Sequence, residues 1–174
     1  MIHPPHISTR ALILPVAGLL LLLGTAGPLS AASLLADKVV VLKRERLLML
    51  LKGGEILRRY RVALGRQPLG RKFRQGDGKT PEGLYVLDRR NAASRFYRSL
   101  HISYPNAADV ALARRCGVDP GRDIMIHGLP RGFEELGSAH TARNWTKGCI
   151  AVSNGEMDEI WHLVPDGTPI EIKP

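Results

Sequence analysis

From Lys38 onward the apolar positions fall in short runs rather than long helical stripes. "KVVVLKRERLLMLLKGGEILRRYRVALG" holds two such runs, a Gly53-Gly54 turn, and a period-two stretch that places Ile56, Arg58, Tyr60, Val62 and Leu64 on one face. The turn and the β-branched flanks predict a strand followed by a hairpin, against the helical propensity of the leucines. "GRQPLGRKFRQGDGKTPEG", Gly65 to Gly83, is dense in Gly, Pro and charge. It predicts a long loop, and long loops inside compact domains are usually functional. "LYVLDRR" and "SLHISYP" predict two more strands, the second stopped by Pro105. "NAADVALARRC" has helical spacing, with Val110, Leu112 and Ala113 apolar and Gly117 as the stop. "RDIMIHG" predicts a strand ending at His127-Gly128, Leu129 to Lys147 a loop with a short helix, and "GCIAV" a strand. "SNGEMDEIWHLV" is the clearest helix: Ser153 and Glu156 have capping-box spacing, and Met157, Ile160, Trp161 and Val164 share a face. "TPIEI" closes the chain as a strand. The sum is a mostly β domain with one or two helices packed against it.

The N-terminus follows a different pattern. Arg10 is followed by the uncharged run "ALILPVAGLLLLLG", then by small residues and Pro28 in "TAGPLSAAS". That order predicts a secretory signal over residues 1–32, with Ser30 and Ala32 at the two small positions of a cleavage site after Ala32. The apolar core is shorter than the roughly 20 residues a spanning helix needs, and a retained N-terminal anchor is the alternative. Residues 33–174 then form one exported domain, core about 38–173, facing the periplasm or the cell wall. Of the 25 Lys and Arg only Arg10 lies in the signal, and none of the 16 Asp and Glu, so the remainder carries 24 − 16 = +8. A basic exported domain suits an anionic partner such as the wall. Export, the low aromatic content and the lack of an aromatic-rich basic strand argue against nucleic acid.

Cys149 sits in "WTKGCIAVSN", with Gly148 before it and an apolar strand after it. It shares the chain with one other cysteine, Cys116. A disulfide between them is one reading, although one sits at a helix end and the other at a strand start. A second reading is a small buried hydrophobe. The third is a nucleophile, which needs a base or a positive environment to favour its thiolate. His127 is the best-placed base of the four histidines beyond the signal, since it closes one apolar strand while Cys149 opens another. "GKT" in the long loop does not complete a phosphate-binding loop, because position 73 is Phe where Gly is required. "SLHISYPNAAD" and "EIWH" are similar to the ligand elements of zinc D-Ala peptidases. Asp109, however, lies eight residues after His101, one too many, and Tyr104 stands at an expected Gly. No metal and no cofactor is expected.

Taken in order, "GDGKTPEGLYVL", "ISYPN", "IHGLP", the interval Gly128 to Trp145, and "TKGCIAVSNGEMDEIWHLVPDGTPIEI" resemble the L,D-transpeptidase catalytic domain family, and within it the murein transpeptidases and their hydrolase relatives. The resemblance implies a β-sandwich of that family's type. It implies Cys149 as nucleophile and His127 as proton acceptor and donor. Thr146, Gly148 and Gly128 would shape the active-site loop, with backbone N–H groups there as oxyanion donors. Lys147, Tyr104, Arg131 and Arg143 are expected to contact substrate. Two positions depart from the family pattern: Lys147 replaces the usual His before Gly-Cys, and Ala151 replaces the Arg or Asn two residues after Cys. The implied partners are peptidoglycan stem peptides, with a wall amine or a wall-tethered protein as acceptor. The implied reaction is release of D-Ala from a tetrapeptide followed by transfer of the acyl group to an amine. Hydrolysis by an amidase or L,D-carboxypeptidase of the same family is the alternative, and a catalytically dead wall-binding module is a remoter one.

Overall fold

The computed structural model describes Met1 and residues 34–174. The predicted signal segment, residues 1–32, lies outside the described residues, apart from Met1. The described residues from 34 onward belong to one compact unit.

The strands are β1 (Lys38–Leu42), β2 (Leu47–Lys52), β3 (Glu55–Arg61), β4 (Gly83–Ser94), β5 (Tyr97–Ile102), β6 (Ile124–His127), β7 (Ile150–Ala151) and β8 (Thr168–Lys173). The helices are α1 (Ala107–Arg115) and α2 (Asn154–Leu163), with a 3-10 segment over Glu134–Ala142. The strands form one sheet in the order β3-β2-β1-β8-β4-β5-β6-β7. Pairing is antiparallel except for β1 with β8 and β6 with β7. The sheet curls until its edges meet. Beyond β3, Ala63 exchanges both backbone hydrogen bonds with Ala151 of β7, at 3.0 and 2.8 Å. The mostly β class read from the alternation is therefore the observed one, and the sandwich expected from the resemblance is a single curled sheet.

The interior face carries Val39, Val41, Leu48, Leu50, Leu87, Leu100, Ile102, Ile124, Ile126, Ile150, Ile170 and Ile172 in one apolar core. α2 covers part of it with Met157 and Ile160, both fully buried. Each such side chain contributes roughly 1.5–3 kcal/mol on burial. The predicted capping box at the start of α2 is present. Ser153 Oγ accepts from the Glu156 N–H, and the Glu156 carboxylate accepts from the Ser153 N–H. The predicted face of β3 is only half right. The β2–β3 register shifts between Leu50 and Leu51, which places Leu57 as an extra residue. Ile56 and Arg58 are exposed, and Arg58 lies 3.5 Å from Glu159 of α2. Alternation into the core resumes at Tyr60, Val62 and Leu64. A one-residue bulge is invisible to a strict period of two.

Candidate active site

Alternation on β6 and β7 decides which side chains meet. Ile124 and Ile126 point into the core, as do Ile150 and Val152. Met125 and His127 therefore face the other way, and so do Cys149 and Ala151. His127 pairs with Ala151 across the parallel ladder, so Cys149 is its diagonal neighbour on the same face. Such neighbours lie about 7–8 Å apart, within reach of a ring side chain.

The loop that delivers Cys149 is fixed from both sides. Thr146 N–H donates to Leu64 O at 3.1 Å, and Arg66 N–H donates to Thr146 O at 3.1 Å. Thr146 Oγ1 donates to Cys149 O at 2.7 Å and accepts from Gly148 N–H at 3.0 Å. Gly148 has φ 138°. A Cβ there would lie 2.7 Å from Lys79 O, so only glycine lets the long loop pass this close. Gly128 has a comparable role beside His127. A Cβ would fall 2.6 Å from Asn154 Oδ1, which accepts from Leu129 N–H at 2.8 Å and seats the strand end on the start of α2.

The long loop is also the wall of the Cys149 cavity. That cavity, about 640 Å³, is lined by Arg66, Lys72, Arg122 and Lys147, by Asp77 and Asp123, and by Cys149 itself, among others. Its inner frame is built on Asp77. This carboxylate accepts from Lys72 Nζ at 2.9 Å and from the N–H groups of Phe73, Arg74 and Lys79. These contacts hold its pKa below the usual carboxylate value against the opposing effect of burial. Buried Thr80 accepts from Gly65 N–H at 3.0 Å, and buried Lys43 donates to Gly70 O, Thr80 O and Glu82. "GDGKTPEG" thus specifies a frame, and its lysine and threonine serve that frame rather than a phosphate.

The protonation states follow from burial. His127 is 3% exposed, and its Nδ1 donates to Gly128 O at 2.7 Å, which leaves Nε2 as the acceptor. Phe96 stands over the imidazole at 4.5 Å between centroids and Trp145 at 5.8 Å. Burial lowers the His127 pKa to about 4, with a further small push from His140. Burial raises the Cys149 pKa, while a backbone hydrogen bond from Met125 opposes the rise. The thiol donates to Asp123 O at 3.7 Å. At neutral pH burial favours the neutral thiol and the neutral imidazole.

The other expected contact residues do not converge here. Only Lys147 lines the Cys149 cavity. Tyr104 is 3% exposed, its hydroxyl donates to Pro120 O at 2.9 Å, and its ring meets Tyr85 edge-on, so it is a core residue and not a cavity wall. Arg131 lines a separate hollow with Tyr97 and Glu134. Arg143 lines a third, with His140, Trp145 and Phe133. Sequence reasoning missed Phe96, Trp145, Lys72 and Asp77. Trp145 and Lys72 stood in motifs already singled out, but nothing in their spacing marks an aromatic cover or a buried ion pair. The residues of the zinc pattern have other uses. His101 Nδ1 is 2.6 Å from Asp88 Oδ1, and Asp109 caps α1 and accepts from Arg71 and Tyr85. Among the described residues no three His, Cys, Asp or Glu gather as a metal site. Cys116 and Cys149 are both free thiols.

Residues 36–172 match the family model described as the YkuD L,D-transpeptidase catalytic domain. The chain is 35% identical over 132 residues to YafK of Escherichia coli strain K12, which carries the L,D-transpeptidase name; the match covers 72% of this chain and 46% of that protein. The chain thus spans about half the length of the curated relatives it matches. Its fold is similar to the helical cell shape determining protein Pgp2 from Campylobacter jejuni, with a TM-score of 0.59 and 25% identity over 79% of this chain and 47% of that one. It is similar in fold alone to Bd1075 of Bdellovibrio bacteriovorus, with a TM-score of 0.54 and 23% identity over 80% of this chain and 48% of that one.

The low His127 pKa has a consequence for stability. Its folded value of about 4 lies below the ordinary 6.5, so between those values the unfolded chain binds more protons. The folded state then has its full stability above about pH 6.5 and loses it as pH falls towards 4. Urea unfolding should show a lower midpoint at pH 5 than at pH 7. His127→Gln, which cannot ionise, should lose less over the same interval.

Proposed function

Because the chain belongs to the L,D-transpeptidase catalytic domain family, we propose that it is a peptidoglycan-directed cysteine acyltransferase with Cys149 as nucleophile and His127 as base. The observation that supports this reading is the alternation on β6 and β7, which puts His127 and Cys149 on the same side of the sheet, with Cys149 on the wall of a cavity lined by four cations and two carboxylates.

The neutral imidazole is the form that can accept a proton, and its Nε2 is the free acceptor. As the sulfur attacks the carbonyl of the diamino acid in a stem tetrapeptide, Nε2 takes the thiol proton. The Gly148 amide already donates to Thr146 Oγ1, so Cys149's own N–H is the loop's donor for the developing oxyanion. The intermediate collapses to a thioester, and the imidazolium returns its proton to the leaving D-Ala amine. An amine of the wall, or of a wall-tethered protein, then attacks the thioester. With water in that place the same site is a hydrolase. Arg66, Arg122 and Lys147 provide the positive field that a carboxylate-rich stem peptide requires, while Lys72 is spent on Asp77. Thr146 acts by positioning, through its two hydrogen bonds within the loop. The predicted signal places this activity outside the cytoplasm, and a part in wall remodelling and cell shape follows from the same reading.

Purified peptidoglycan digested with the protein, with muropeptide masses measured before and after, tests the reading. Loss of D-Ala with new cross-links shows transfer. Loss of D-Ala alone, or cut links, shows hydrolysis. Unchanged muropeptides with a folded protein contradict the assignment. His127→Ala should lower the rate by about 100- to 10,000-fold, the usual contribution of a positioned base. Lys147→Ala should lower it less, and added salt should mask its effect, because its part is electrostatic. If the Lys147 variant is as slow as the His127 variant at every salt concentration, the base is not His127 alone.

A further inference from the structure

We propose that the tip of the β4–β5 hairpin is a positioning device for His127, in which Phe96 caps the imidazole and a contact between Tyr97 and Asp158 holds the cap in place. The proposal rests on the reading of His127 as the base.

The hairpin turn is unusual in its residues. β4 ends at Ser94 and β5 begins at Tyr97, so Arg95 and Phe96 make the connection. Tight hairpins favour Asn, Asp or Gly there or just after. This one has none, and Tyr97 takes φ 68°. A bulky residue in the left-handed region is a true outlier, and such strain gathers where the surroundings enforce it for function.

The surroundings enforce it here. The Tyr97 hydroxyl donates to the Asp158 carboxylate of α2 at 2.9 and 3.0 Å. Arg98 Nη1 lies 3.0 Å from the same carboxylate, and its guanidinium lies over the rings of Tyr97 and Trp161. The tip rests on the backbone beside the base. A Cβ on Gly128 would meet Tyr97 Cβ at 3.1 Å and Phe96 O at 3.2 Å. Phe96 is thereby laid on the imidazole, tilted by 36° with centroids 4.5 Å apart, while Trp145 closes the ring's edge. The half-buried phenyl ring, laid over a general base, excludes water from a group that must stay neutral to work.

The titratable group whose charge acts on His127 is His140 on the 3-10 segment; the Arg98–Asp158 pair joins β5 to α2 behind the hairpin tip, and Cys149 stands before β7 on the same side of the sheet. Removing the cap admits water and favours the imidazolium. The proton affinity of His127 then rises, and the acid limb of kcat/KM moves to higher pH.

The test is an NMR titration of the His127 ring, assigned by loss of its signal in His127→Gln, alongside pH–rate profiles. Phe96→Ala should raise the midpoint from about 4 by at least about one unit. Phe96→Leu, which keeps an apolar cover, should shift it less. Tyr97→Gly relieves the backbone but releases the tip, so the midpoint should rise without loss of thermal stability. A merely structural hairpin predicts the reverse for Phe96→Ala: lower stability with an unmoved midpoint. Midpoints within about 0.3 units of wild type in a folded Phe96→Ala or Tyr97→Gly protein overturn the proposal. If the midpoint moves but the acid limb of kcat/KM does not, the cap stands and the base assignment falls.

Discussion

Pairing of Ala63 with Ala151 is the constraint on which the site depends. β7 is two residues long, too short to hold itself, and it survives because it is bonded on both flanks. His127 and Ile126 lie on one side and the chain beyond β3 on the other. The same closure brings Leu64 and Arg66 onto Thr146, and Gly65 against Gly148. A Cβ on Gly65 would lie 2.1 Å from Gly78 O, so three stretches of chain pass one another at glycines. Cys149 is delivered by that crossing.

Much of this was legible in the sequence, and the limits have physical causes. The strands, the long loop and α2 follow from period, turn residues and a capping box, all local signals. The pair His127 and Cys149 could be read as two strand ends, because alternation places each on a definite face. What was not legible is what depends on curl and burial. The bulge at Leu57 breaks the expected face of β3. Tyr104 sits within the "ISYPN" motif yet is spent in the core. Phe96 is 31 positions before His127, and no spacing rule connects a hairpin tip to a strand end across the fold. Buried Lys72 with Asp77 looks in sequence like ordinary loop charge.

The electrostatics favour a site that is quiet until substrate arrives. The thiol and the imidazole are both neutral at rest, each by burial, so under the proposed function the thiolate forms only as it attacks. Lys147 puts a positive charge on the wall of the cavity two residues before Cys149. Of the cavity's cations, Lys72 is the one whose charge opposes the rise in the Cys149 pKa, and burial outweighs it.

The central claim is that Cys149 becomes covalently acylated. It is tested most directly by exposing the protein to a carbapenem, which presents a strained amide to a nucleophile, and locating the adduct by intact-mass analysis and peptide mapping. The account predicts one adduct per chain, on the peptide containing Cys149, absent in Cys149→Ala and retained in Cys116→Ala. An adduct on Cys116, or none on Cys149 under conditions where the protein turns over its substrate, would contradict it.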